Sequence, residues 1–166
     1  MPAHGTAPHP PGTRKTAGVI APPPVLPGAV ILLAELLHRL RPLPMQPTDG
    51  VWRVVVAGGL LAAALTIAAA AVLELRRART PVEPWKPTRS IVTTGPYAFS
   101  RNPIYVAFLG GQLAYAWGRG NAWGLLLLPV SIALLHWGVI AREERYLATR
   151  FGEAYLGYRQ RVRRWL

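Results

Sequence analysis

The sequence predicts an all-α integral membrane protein with about four transmembrane helices and a C-terminal amphipathic helix at the cytoplasmic face. Three observations predict it. Apolar residues make up 51% of the chain and charged residues only 16%, a balance that suits membrane spans joined by short charged loops. Long apolar runs end in basic clusters, as at Arg76, Arg77 and Arg79. Beyond Ile140, apolar residues recur at helical three and four spacing among arginines.

At 166 residues the chain has room for one domain. Residues 1–18 read as a disordered Pro-rich tail and 19–166 as that single domain. The first 27 residues hold 8 of the 17 prolines and too little contiguous apolar surface to offset the entropy of ordering. Arg14 and Lys15 before an apolar stretch have the layout of a signal peptide. However, Pro22, Pro23, Pro24 and Pro27 interrupt that stretch and no small-x-small cleavage site follows, so the tail is expected to stay attached.

Gly28 to Leu40 is apolar but short for a span and carries Glu35, so it crosses only with help from Val19 to Pro27. Trp52 to Leu75 is the clearest span, with an interfacial Trp at one end and arginines at the other. Pro103 to Trp117 and Asn121 to Ile140 are two more. The turn at Gly118, Arg119 and Gly120 is short enough to demand an antiparallel helical hairpin, and Pro129 should kink its second arm. Gln112 is expected to face other helices rather than lipid.

With both termini inside, 15 of the 19 Lys and Arg fall on the inner side, leaving Arg39, Arg41, Arg53 and Arg119 outside. The positive-inside rule favours that orientation, in an inner membrane, and anionic headgroups account for the net charge of +12 without nucleic acid. In the C-terminal segment Leu147, Phe151, Ala154, Tyr158, Val162 and Trp165 form an apolar stripe opposite Arg142, Arg145, Arg150, Arg159 and Arg161. No cysteine is present, which excludes disulfides, thiolate metal sites and a cysteine nucleophile. Walker, dinucleotide-binding, H-E-x-x-H and nucleophile-elbow patterns are absent, and no metal-ligand set is seen. Nothing in the sequence fixes an oligomeric state.

Two clusters at one membrane surface carry chemical potential. In TTGPYAFSRNPIY, Thr93 to Tyr105, Gly95 and Pro96 make a turn, Asn102 suits an N-cap and Pro103 the first helical position. Such a helix start also presents free N–H groups to a carboxylate or phosphate, and Arg101 and Tyr105, four apart, share a face. The second cluster is Glu143 with Glu144. Paired carboxylates at a membrane border need cations, either Arg142, Arg145 and Arg101 or a cationic ligand. His136, seven residues before Glu143, shares roughly the same helix face, one that could line a cavity, though an interfacial His is the commoner case. Glu35 and His38 read as a structural polar pair.

GPYAFSRNPIY, then EERYL after a helical hairpin, then FGEAYLGYRQRVRRW, resembles the membrane methyltransferases that include isoprenylcysteine carboxyl methyltransferases and bacterial phospholipid methyltransferase-like proteins. The likeness covers about Arg89 to Trp165, within a motif and cofactor region 89–166. It implies S-adenosylmethionine as cofactor, held by Arg89, Ser90, Ile91, Val92, Tyr97, Asn102, Pro103, Tyr105 and Glu143, with Glu144 beside it. A carboxylate such as Glu143 suits the cofactor's ammonium and sulfonium, Arg101 or the helix start suits its carboxylate, and the two tyrosines supply aromatic walls.

The sequence departs from that family at named positions. Asn102 stands where many members have His, Arg89 where prenylcysteine enzymes often have His, and Val139 where they place a substrate-binding Arg. The last change argues against a prenylcysteine carboxylate as substrate. The resemblance implies methyl transfer to a lipophilic or small acceptor entering from the bilayer, with rate gained by positioning and exclusion of water. No side chain stands out as general base, and the acceptor atom is left open. Two alternatives stand beside it. Sterol reductases, which use reduced nicotinamide dinucleotide phosphate, carry a similar R-x-P-x-Y stretch, and a non-enzymatic scaffold would use the motif as a helix cap only.

Overall fold

A computed structural model describes residues 16–45 and 50–166; Arg14 and Lys15 lie outside the described residues. Among these the chain is helical, without a strand. Helix α1 is Val25–Leu40, α2 Val51–Arg77 and α3 Pro103–Arg119. A fourth apolar stretch, Ala122–Phe151, is built from α4 (Ala122–Leu126), α5 (Leu128–Leu135), a π turn His136–Ile140 and α6 (Ala141–Phe151). Helix α7, Glu153–Arg161, follows.

Two helical stretches among the described residues are long and apolar enough to cross a bilayer, Val51–Arg77 with 27 residues and Ala122–Phe151 with 30. Helices α1 and α3 have 16 and 17 residues, about 25 Å each at 1.5 Å per residue, somewhat under the bilayer core. The α2 surface explains why this chain needs an apolar solvent: Val54, Leu61, Leu65 and Leu73 all point outward, and so broad an apolar face in water would be an aggregation liability.

Helix α3 is the centre of the bundle, with α2 on one side and α4 and α5 on the other, and α1 packs on α4 and α5. Small residues allow the close approach. A methyl group on Gly110 would sit 3.2 Å from the Ala64 Cβ, and one on Gly118 3.2 Å from the Ala57 Cβ, spacing that lets dispersion operate between backbones in place of a hydrophobic drive. Gly124 is tighter, since a Cβ there would lie 2.6 Å from Ala116 Cβ and 3.2 Å from its Cα. Gly124→Ala should therefore force α3 and α4 apart and cost about 1–3 kcal/mol, read as a lower thermal midpoint in detergent. Gln112 is fully buried between these helices, donating to the Gly124 carbonyl at 3.1 Å and accepting from the Ser131 hydroxyl at 2.6 Å. It does face other helices.

The hairpin turn forms where the glycines place it. Gly120 takes the left-handed conformation, φ 62°, and Asn121 caps α4 by accepting from the Trp123 N–H at 3.0 Å. Pro129, at the start of α5, lacks the N–H for a helical bond and the helix breaks at Leu127. At this end the α1–α2 link joins the turn, with Met45 N–H bonded to the Gly120 carbonyl and Ala122 N–H to that of Leu43. Glu35 belongs here, but its partners are Tyr115, Arg119 and Arg39, not His38. The His38 imidazole accepts from Leu43 N–H.

The opposite end holds residues 16–24, the 78–102 loop and everything after Ile140. The C-terminal segment is not one amphipathic helix. Gly152, φ 51°, breaks it into α6 and α7, and residues 162–166 leave helical geometry. Trp165 packs against the apolar cluster of Tyr105, Leu135, Val139 and Ile140, and Leu147 and Tyr158 turn inward rather than forming a continuous outer stripe.

Candidate functional site

The turn Gly95–Ala98 is a 3-10 helix entered at Gly95, φ 58°, where the chain passes against Glu74: a methyl group on Gly95 would meet its Cγ at 2.9 Å. Glu74 in turn accepts from the Thr94 hydroxyl and from Arg77 at 2.7 Å. The turn sets Tyr97 inward, and its carbonyl accepts from the Tyr158 hydroxyl at 2.7 Å. Four residues later the chain meets its own C-terminal segment. Arg101 N–H donates to the Arg163 carbonyl at 2.9 Å, and the Asn102 side-chain amide to that of Arg164, also at 2.9 Å. Asn102 thus occupies the N-cap position of α3, but its side chain makes no capping bond there. It fastens the tail.

The wall facing this segment is carried by the helix after the π turn. Five residues of π geometry hold Gly138, Val139 and Ile140 buried and alter the phase with which α6 leaves the bundle. His136 consequently lies outside the cavity lining, with its ring 5.6 Å from that of Trp137. Val139 packs in the apolar cluster.

The two glutamates have unlike surroundings. Glu144 is 9% exposed in its side chain and held on both sides: Arg164 donates to it in bidentate fashion, Nε at 2.9 Å and Nη2 at 2.7 Å, and Arg101 Nη2 lies at 3.2 Å. Arg142 and Arg145 are turned elsewhere, to the carbonyls of Gly18 and Ala141. Glu143 accepts only from Tyr105, whose hydroxyl stands 2.8 and 2.9 Å from its two oxygens, and it has no salt-bridge partner among the described residues. Arg101 is also left incomplete. Its side chain is 8% exposed, yet its Nε and Nη1 lack a hydrogen-bond partner among the described residues.

Glu143 and Arg101 open on one cavity. Its walls include Ser90, Ile91, Val92, Tyr97, Asn102, Pro103, Tyr105 and Glu144. Arg89 is exposed and lies outside the lining. The Ser90 hydroxyl is engaged by Thr80 and the Ala78 carbonyl, which fixes the loop against α2. Burial pushes the Tyr97 hydroxyl up from its ordinary value, with the Glu143 carboxylate and Tyr158 adding to it. Burial does the same to Tyr158, with Tyr155 assisting. Both phenols stay protonated near neutral pH, so they serve as walls and hydrogen-bond donors, not as bases.

The sequence matches the phospholipid methyltransferase family over residues 52–154. The chain belongs to that family. It is 40% identical over 63 residues to an uncharacterized protein of Haemophilus influenzae, a match covering 38% of this chain and 100% of that one. It is 36% identical over 72 residues to the protein-S-isoprenylcysteine O-methyltransferase of Schizosaccharomyces pombe, covering 43% of this chain and 30% of the relative. A third relative is the cobalt-zinc-cadmium resistance protein CzcN of Cupriavidus metallidurans, 36% identical over 64 residues, 39% of this chain and 30% of CzcN. The matched segment thus spans all of the bacterial protein of H. influenzae and under a third of the other two.

Within this phospholipid methyltransferase family member, residues beyond the motif loop and the glutamate pair support and line the cavity. Arg164 was one arginine among many at the tail, and only the tail's return to Asn102 makes it the partner of Glu144. Tyr146, Tyr155 and Tyr158 line the cavity from α6 and α7. A tail with three tyrosines among its arginines carried that signal. Tyr105→Phe should remove the only donor to Glu143 among the described residues and cost about 1.5–3 kcal/mol, the usual worth of a hydrogen bond to a charged group, measured by thermal unfolding without ligand.

Proposed function

We propose that this chain is an S-adenosylmethionine-dependent membrane methyltransferase that binds the cofactor between its Thr93–Tyr105 segment and Glu143 and methylates a lipophilic or small acceptor reached from the bilayer. The observation that carries it is the Glu143 carboxylate, partly buried on a cavity, bonded to a neutral phenol and without a cation partner among the described residues. A desolvated carboxylate is costly until a positive group meets it.

The residues present fit the cofactor. Glu143 offers a counter-charge to a sulfonium or ammonium, and the two unpartnered nitrogens of Arg101 offer donors to a carboxylate. When bound, S-adenosylmethionine would supply an electrophilic methyl group on a positively charged sulfur. The chain's share is positional. Tyr105 holds the Glu143 carboxylate by both oxygens, Arg164 and Arg101 hold Glu144, and Tyr97 with Tyr158 keeps the apolar wall closed to water.

In this reading α1 and α3 complete four spans with α2 and residues 122–140 of the last apolar stretch. The cavity end, rich in arginine, faces the cytoplasm in an inner membrane, and α6 and α7 lie along the headgroups. Val139 in place of a cation points to an acceptor other than a prenylcysteine carboxylate. Titration of the purified chain in detergent with S-adenosylmethionine and its demethylated product, followed by calorimetry, tests the reading. Saturable binding of both is expected. Binding of reduced nicotinamide dinucleotide phosphate, with none of either adenosyl compound, would replace it by the reductase alternative.

A further inference from the structure

The cavity has a wall that comes from outside the family-matched segment. Residues 16–20 precede α1 and run along the helix that carries Glu143. Ile20 N–H donates to the Gly138 carbonyl at 3.2 Å, inside the π turn. The Gly18 carbonyl accepts from Arg142 Nη1 at 3.3 Å, one residue before Glu143. Gly18 has φ 61°, a left-handed turn that a side chain would oppose. Val19 packs on the cluster containing Tyr105 and Ile140. Just before these anchors Ala17 is 4% exposed and lines the same cavity as Glu143, Tyr105 and Tyr97.

We propose that residues 16–20 form a strap that closes the cavity beside Glu143, and that Ala17 sets how large a ligand the cavity takes. The π turn gives the strap its place. There the Gly138 carbonyl accepts the Ile20 N–H, and a methyl group on Gly138 would make ordinary van der Waals contact with Leu26 at 3.4 Å and Ile20 at 4.0 Å, so turn, strap and α1 lie packed together. Both the carboxylate and its cover therefore depend on one irregular turn. The strap lies before residue 52, where the family match begins.

The inference rests on the methyltransferase reading for its probe, S-adenosylhomocysteine. Calorimetry on the full chain in detergent would compare the parent protein with Ala17→Trp and, as a control on the outer face of α1, Leu32→Trp. The control should bind within about twofold of the parent, whereas Ala17→Trp should weaken binding about tenfold or more, by filling a close-packed wall. If the parent binds and Ala17→Trp binds equally well, the strap is not a wall of the site and the inference falls alone. If the parent does not bind, the methyltransferase reading falls and takes the inference with it. Should Ala17→Trp fail to fold, Ala17→Cys supplies the same test. The chain has no other cysteine, so benzyl methanethiosulfonate modifies that position alone in the folded protein. Modification should block binding, and bound S-adenosylhomocysteine should slow modification; no effect in either direction would overturn the proposal.

Discussion

Glu143→Gln should lose cofactor affinity and keep, or gain, stability. The substitution preserves shape and an oxygen acceptor for the Tyr105 hydroxyl, so packing is untouched. It removes a desolvated charge with no salt-bridge partner among the described residues, which relieves the folded protein. For a cationic ligand the same change deletes the counter-ion. The expected loss is about 2 kcal/mol or more, roughly 30-fold in dissociation constant. Calorimetry and thermal unfolding on one preparation read both effects. A greater loss for S-adenosylmethionine than for S-adenosylhomocysteine places the carboxylate at the sulfonium, since only the first carries it, whereas equal losses place it at the ammonium. Unchanged affinity for both would remove Glu143 from the ligand site. A group whose removal stabilises the apoprotein while destroying binding is the usual mark of a residue kept for function.

The neighbouring substitution, Glu144→Gln, should do the reverse. Here the charge is the centre of a three-residue ion cluster that ties α6 to the start of α3 and to the tail. Without it Arg101, 8% exposed, is left buried and uncompensated, a situation that typically costs about 3–5 kcal/mol. For a domain of this size that is a fall of roughly 10 °C in thermal midpoint. Arg164→Ala should cost less, because its side chain is 34% exposed and Arg101 keeps its carboxylate. A fall of under about 2 °C for Glu144→Gln would mean that the cluster contributes nothing beyond a surface pair. Adjacent glutamates would thus separate into one that holds the fold and one that awaits a ligand.

How much of this was readable in the sequence differs between fold and site. Helix α2 and the α3–α4 hairpin follow from local rules: an apolar run closed by arginines, glycines at a tight turn, a proline where a helix must break. Gln112 follows from the cost of a side-chain amide in lipid. The π turn at His136–Ile140 has no compositional signature, and its effect on phase is why His136 was expected on the Glu143 face and is not there. Gly152 could have been read as a break, but the regular stripe of Leu147, Phe151, Ala154 and Tyr158 masked it. At the site, the motif loop and glutamate pair were visible as residue types. Which glutamate is neutralised was not, because that depends on Arg164 returning 20 residues later to a carboxylate one turn beyond the last span. Arg89, adjacent in sequence to Ser90, faces outward, since the Thr80 hydroxyl pins Ser90 and fixes the direction of the strand of chain around it.

The tail contact has a consequence for the making of the protein. Arg164 emerges from the ribosome after every apolar stretch has been synthesised, so the nascent chain enters the bilayer with Arg101 and Glu144 still lacking their third partner and with Asn102 not yet tied down. Insertion of the helices and assembly of the cavity are then separate events in time. The cavity end closes after the apolar stretches are made, and a chain halted before that residue would leave Arg101 and Glu144 without the third member of their ion cluster.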